Sequence, residues 1–146
     1  MLAQLTIPLL VSGLVGCQAG PEVVTSIVFD GESRTITTSD VTCTRQPDGS
    51  LVILVSDKPR HTVRIQLAQQ GRLVVQKVGL RHETVAGYVD DSREVTATKV
   101  DDAYTFTGRM PPNPGESQWH TFKIQTTCPK YVDAPPPRMD PAVGAP

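Results

Sequence analysis

Thr62-Val63-Arg64-Ile65-Gln66-Leu67 sets apolar side chains two residues apart with polar ones between them. Successive side chains of a strand point to opposite faces, so Val63, Ile65 and Leu67 share a covered face while Arg64 and Gln66 meet solvent. A helix would need apolar positions three and four apart, and no segment of this chain carries such a stripe. The stretch reads as one half-covered strand of an antiparallel sheet.

The same period extends in both directions. Towards the N-terminus, Leu51 to Val55 is apolar without interruption, which predicts a strand covered on both faces. Lys58-Pro59-Arg60 breaks the chain after it, and Pro47-Asp48-Gly49-Ser50 turns the chain before it. Arg34 to Thr44 reads as a single strand whose second half aligns Val41 with Cys43, and Val23 to Phe29 reads as another, closed by the turn dipeptide Asp30-Gly31. Towards the C-terminus, Gln69-Gln70-Gly71 leads into Leu73 to Leu80, and Val85 to Val89 follows. Arg93 to Val100 and Ala103 to Arg109 form a hairpin about Asp101-Asp102. A proline-rich loop then precedes Trp119 to Cys128, in which Phe122, Ile124, Thr126 and Cys128 share one face. Eight or nine short strands with frequent turns predict an all-β fold, an antiparallel β-sandwich or a barrel-like sheet, over residues 23–129.

Ahead of this body lies an uncharged apolar run, Met1 to Gly16, that ends in Leu14-Val15-Gly16-Cys17. An h-region followed by a small residue and a cysteine reads as a lipoprotein export signal, cut after Gly16, with a diacylglycerol on the sulfur of Cys17. As a helix the run would span about 24 Å, short of the ~30 Å hydrocarbon core, so a permanent transmembrane anchor is disfavoured. No Lys or Arg precedes it, unlike the usual export signal. The competing readings are a simple cleaved signal and a buried N-terminal helix. Residues 17–22 make a short tether. On the lipoprotein reading, the mature protein is anchored on the extracytoplasmic face of a cell membrane through its lipid.

Three cysteines occur, Cys17, Cys43 and Cys128. With Cys17 acylated, the other two form a natural pair in an oxidising envelope, and strand parity turns both towards the apolar side. Two unpaired buried thiols are the alternative. Removing the leader leaves roughly 130 residues, enough for one core. The net charge of −1 provides no basic field for nucleic acid. Residues 130–146, with Pro135-Pro136-Pro137, are too poor in apolar groups to pack and read as a disordered tail.

An ordered series of segments carries a resemblance. It comprises the lipobox, Val41-Thr42-Cys43-Thr44, Val78-Gly79-Leu80 with Gly87-Tyr88, and Ala97-Thr98-Lys99, then Tyr104-Thr105-Phe106-Thr107-Gly108 and Phe122-Lys123-Ile124-Gln125-Thr126-Thr127-Cys128. Together they resemble the mycobacterial nineteen-kilodalton lipoprotein antigen family from Ser26 to Cys128. The resemblance implies a lipid-anchored envelope antigen, acylated at Cys17, whose acylated end engages Toll-like receptor 2 and to which adhesion to host cells is attributed. It also implies a Cys43–Cys128 pair. Where that family has a long Ser/Thr/Ala-rich linker behind the lipid cysteine, this chain has a few residues, which places the domain close to the membrane.

No catalytic constellation accompanies these features. Neither a Gly-x-Ser-x-Gly elbow nor a phosphate-cradling glycine loop nor a His-Glu-x-x-His pair occurs. His61, His82 and His120 are dispersed, and His120 shares parity with Phe122 and Ile124, as a packing residue at a strand end would. His82 and Glu83 are adjacent and point to opposite faces unless a bulge intervenes. Asp90-Asp91 and Asp101-Asp102 read as solvated turns rather than calcium ligands. We therefore expect no enzyme, no cofactor beyond the covalent lipid, no metal and a monomer. The alternative is an envelope carrier that holds a lipid or glycolipid between its sheets, which would require a large apolar cavity.

Overall fold

The computed structural model describes residues 20–69 and 71–135. Eleven strands run in order, β1 Val23–Phe29, β2 Glu32–Thr38, β3 Val41–Arg45, β4 Ser50–Lys58, β5 His61–Ala68 and β6 Val74–His82, then β7 Val85–Val89, β8 Val95–Val100, β9 Ala103–Met110, β10 His120–Thr127 and β11 Val132–Asp133. They form two sheets, ordered β2-β1-β10-β9-β8 and β11-β3-β4-β5-β6-β7, that pack as a sandwich. All pairs are antiparallel except β11 with β3. Val63, Ile65 and Leu67 are fully buried and Arg64 is exposed, as the alternation requires.

Between the sheets the apolar faces meet. Ile27, Ile124 and Phe106 lie on one register row of the first sheet, and Leu51, Ile53, Ile65 and Val78 come from the second. All seven are fully buried. The one buried polar pair in this core satisfies itself, with the hydroxyls of Thr25 and Thr126 2.7 Å apart.

Three elements differ from the expectation. Arg34 to Thr44 is not one strand. It breaks at Ser39-Asp40, where Thr38 Oγ1 donates to the Ser56 carbonyl at 2.9 Å and accepts from the Asp40 amide at 3.0 Å, so β2 and β3 enter different sheets. The buried parity shifts across the corner, from Ile36 and Thr38 to Val41 and Cys43, within a polar run that carries no Gly or Pro to mark a turn. Leu51 to Val55 is covered on one face only: Val52 is half-buried and Leu54 is 37% exposed. The chain also keeps its order from Lys130 to Ala134, while residues 136–146 of the expected disordered tail lie outside the described residues. β11 pairs with β3, the Ala134 amide donates to the Arg45 carbonyl at 2.8 Å, and Tyr131 packs against the core. With β11 and the split strand, the count is eleven rather than eight or nine.

Cys43 on β3 and Cys128 just after β10 form a disulfide with Cα atoms 5.9 Å apart. Because β3 and β10 belong to different sheets, the bridge ties one sheet to the other. Among the described residues, no helix is long and apolar enough to cross a membrane.

Candidate functional site

Two regions concentrate chemistry. The first is the root of the tether. Gly20 and Pro21, just ahead of β1, lie in an open groove of about 410 Å³ with Val41 and Thr42 on one side and Pro129 and Lys130 on the other. Both walls are held by the Cys43–Cys128 bridge immediately beside them. Leu14, Val15, Gly16 and Cys17, the expected cleavage and lipidation residues, lie outside the described residues.

The second region is a cleft of about 270 Å³ at the β1–β2 turn, lined by Phe29, Asp30, Arg34, Asn113, Glu116 and His120, among others. Asp30 and Gly31 hold positive φ in a two-residue turn, and Asp30 Oδ1 accepts from the Thr121 amide at 2.9 Å. That fixes its other oxygen 2.6 Å from His120 Nδ1. On the far side Glu116 Oε1 lies 2.9 Å from His120 Nε2 and accepts from the Asn113 amide at 2.8 Å. The imidazole stacks on Phe29 with ring centroids 4.9 Å apart. Hydrogen bonds to Glu116 and then Asp30 raise the pKa of His120, and the bond to His120 lowers that of Glu116.

This geometry favours the protonated ring and does not suit a base. A general base needs a free nitrogen lone pair within reach of a substrate proton, and both ring nitrogens of His120 already face carboxylates. His120 is thus the strand-end packing residue its parity predicts, with two ionic clamps that lie far from it in sequence or in the proline-rich loop. No local signal marked Asp30 and Glu116 as its partners.

His61 and His82 are not dispersed. They are register partners across β5 and β6, and their rings stack at 4.4 Å. His82 and Glu83 form no dyad; Glu83, at positive φ in the turn, reaches His61 Nε2 instead, at 2.5 Å. Asp91 caps the 3-10 turn Ser92–Glu94, and Asp102 accepts from the Tyr131 hydroxyl at 3.0 Å, so one of the paired aspartates serves its own turn and another ties its turn to the C-terminal segment. Among the described residues, no group of three or more His, Cys, Asp or Glu side chains is arranged to hold a metal ion.

Among the described residues the core side chains named above pack between the sheets, and the clefts open to solvent at strand ends, at loops, on the outer surface and, beside Leu73 and Val95, between the edges of the two sheets. A family model described as Mycobacterium 19 kDa lipoprotein antigen matches residues 18–128, most of the chain. The chain belongs to the Mycobacterium 19 kDa lipoprotein antigen family. The matched stretch covers both sheets of the sandwich described above up to Cys128. No curated protein matches the chain.

Proposed function

We propose that the chain is a non-catalytic cell-envelope protein held in the membrane by a diacylglycerol thioether on Cys17, after cleavage behind Leu14-Val15-Gly16. The observation that carries this reading is the extent of the family match, which begins at residue 18, directly behind Cys17, and ends on Cys128. Each buried methylene contributes about 0.8 kcal/mol, and two acyl chains pass the threshold for stable anchoring where one does not. In this reading the acylated end is what a host receptor recognises, and the monomeric folded body carries any adhesion on its exposed faces. The filled core counts against a carrier that holds lipid between its sheets.

Detergent-phase partitioning tests the anchor. The wild-type protein enters the detergent phase and Cys17→Ser stays aqueous. Intact mass of the membrane-extracted protein gives the cleavage point and the acyl mass together. A bare thiol at Cys17 in the native product would overturn the proposal.

A further inference from the structure

The two outer faces of the sandwich differ in charge. On the six-stranded sheet, the register rows place Thr42, Leu54, Arg64, Gly79 and Tyr88 side by side, with Gln66 and Lys77 in the row on one side and Thr62 and Arg81 in the row on the other. Arg64, Lys77 and Arg81 are all exposed. None of the three meets a carboxylate among the described residues, where the recorded ion pairs use other cations. No Asp or Glu occupies an outward position on β3 to β7 within these rows. Asp48 stands at the rim, its Oδ1 engaged by the amide and hydroxyl of Ser50. Tyr88 and Leu54, 49% and 37% exposed, interleave the cations with apolar surface.

The face of the five-stranded sheet is different. Its outward rows hold Ser26, Thr35, Thr98, Thr105, Thr107 and Gln125 with the exposed Val24 and Val100; on its central strand Lys123 meets no carboxylate among the described residues, and Arg109 is neutralised by Glu94 at 2.6 Å.

The root of the tether opens onto the cationic face. Gly20 and Pro21 share their groove with Thr42, the first residue of the row that runs through Leu54 and Arg64 to Tyr88, and Lys130 adds a cation there beside Asp40. Three peptide steps separate Gly20 from Cys17, a reach of about 10 Å. A lipid on Cys17 therefore enters the bilayer close to this face. Attraction between basic side chains and anionic headgroups decays over about 8 Å at physiological salt, so a short tether is what lets such a face act.

We propose that the outer face of the six-stranded sheet, through Arg64, Lys77 and Arg81 with Tyr88 and Leu54, lies against the anionic headgroups of the bilayer that holds the lipid anchor. This rests on acylation at Cys17 for its placement. The membrane then covers the six-stranded face, and the hydroxyl-rich face of the five-stranded sheet is the one left for other molecules.

The test compares two lysines in one molecule. The full mature chain is reconstituted on vesicles of phosphatidylcholine alone and of phosphatidylcholine with phosphatidylglycerol. It is then treated with an amine-reactive reagent, and labelling at Lys77 and Lys123 is read by mass spectrometry. On the anionic vesicles Lys77 should label roughly threefold or more slowly than on the neutral ones, with Lys123 unchanged and high salt restoring Lys77. The exposed double variant Arg64→Gln/Arg81→Gln should lose most of that difference. Equal labelling of Lys77 on both vesicle types, or protection of Lys123 instead, would overturn the proposal. The anchor is read separately, by retention on neutral vesicles after a salt wash. A chain without lipid is washed off those vesicles, which sinks the anchor, whereas a retained chain whose Lys77 labels equally on both vesicle types overturns the face proposal alone.

Discussion

His120 sits between Asp30 and Glu116 with one carboxylate at each ring nitrogen, so its contribution to stability follows its proton. Its folded pKa is raised above the ordinary value of about 6.5, so that contribution is complete below the unfolded pKa and is lost as pH rises through the folded one. Glu116, held low by the same bond, loses its part as pH falls through its own depressed pKa. We expect His120→Asn to lower the melting temperature most in mildly acidic solution, with the gap closing above neutrality; a gap independent of pH would show that stacking on Phe29 is all the residue contributes. A second residue acts through space alone. A Cβ on Gly108 would collide with the backbone of Glu94 and Val95, atoms that cannot swing aside. Gly108→Ala should therefore cost at least about 1–3 kcal/mol in a chemical-denaturation curve. At Gly87 the obstacle is the flexible end of the Met110 side chain together with the Phe29 ring, and the smaller loss expected there is the control.

Elements were legible in the sequence where alternation and turn chemistry agree. β5, β7 and β9 lie within a residue of the stretches read from period two, and Asp30-Gly31 forms the tight turn its residues demand. Alternation cannot tell which sheet a strand joins, and at the Thr38 corner the only sign was a shift of parity from Ile36 to Val41 across a polar run without Gly or Pro. The last short strand was invisible because two residues carry no period. It is held by Tyr131, whose hydroxyl donates to Asp102 and so accepts from Tyr104 at 2.9 Å, with the Arg45 guanidinium 5.2 Å from its ring centroid. Burial first, then the bonds to Tyr104 and Asp102, push the Tyr131 phenol far above its usual pKa. Tyr131→Phe leaves the buried Tyr104 hydroxyl unpaired and should cost about 1–3 kcal/mol, together with faster hydrogen exchange at Ala134. The bridge acts at the same scale. Separated by 85 residues, Cys43 and Cys128 close a loop worth about 2–4 kcal/mol, and a paired Cys43→Ala/Cys128→Ala variant should lose that amount in denaturant while remaining folded. The histidine cleft was half legible, since parity marked His120 as packed while one carboxylate partner, Asp30, comes from 90 residues away and the other, Glu116, sits in a loop without period.

At the scale of the molecule, one continuous core joins the two sheets, and Ile124 sits in its middle between Ile27 and Phe106. Ile124→Ala should cost about 2–5 kcal/mol and lower the denaturation midpoint in a single transition, because no second core exists among the described residues to unfold on its own. The charge asymmetry of the outer faces was present in the sequence as Arg64, Lys77 and Arg81, but only strand register brings the three onto one surface. The tether root has a further consequence. The fold begins at the buried Val23, so with lipid on Cys17 only the five residues 18–22 separate fatty acid from fold, a short stretch for a protease to grip. Such a molecule is not shed by trimming. Copies found away from the cell should still carry their grease, travelling in membrane fragments rather than as a free, clipped ectodomain.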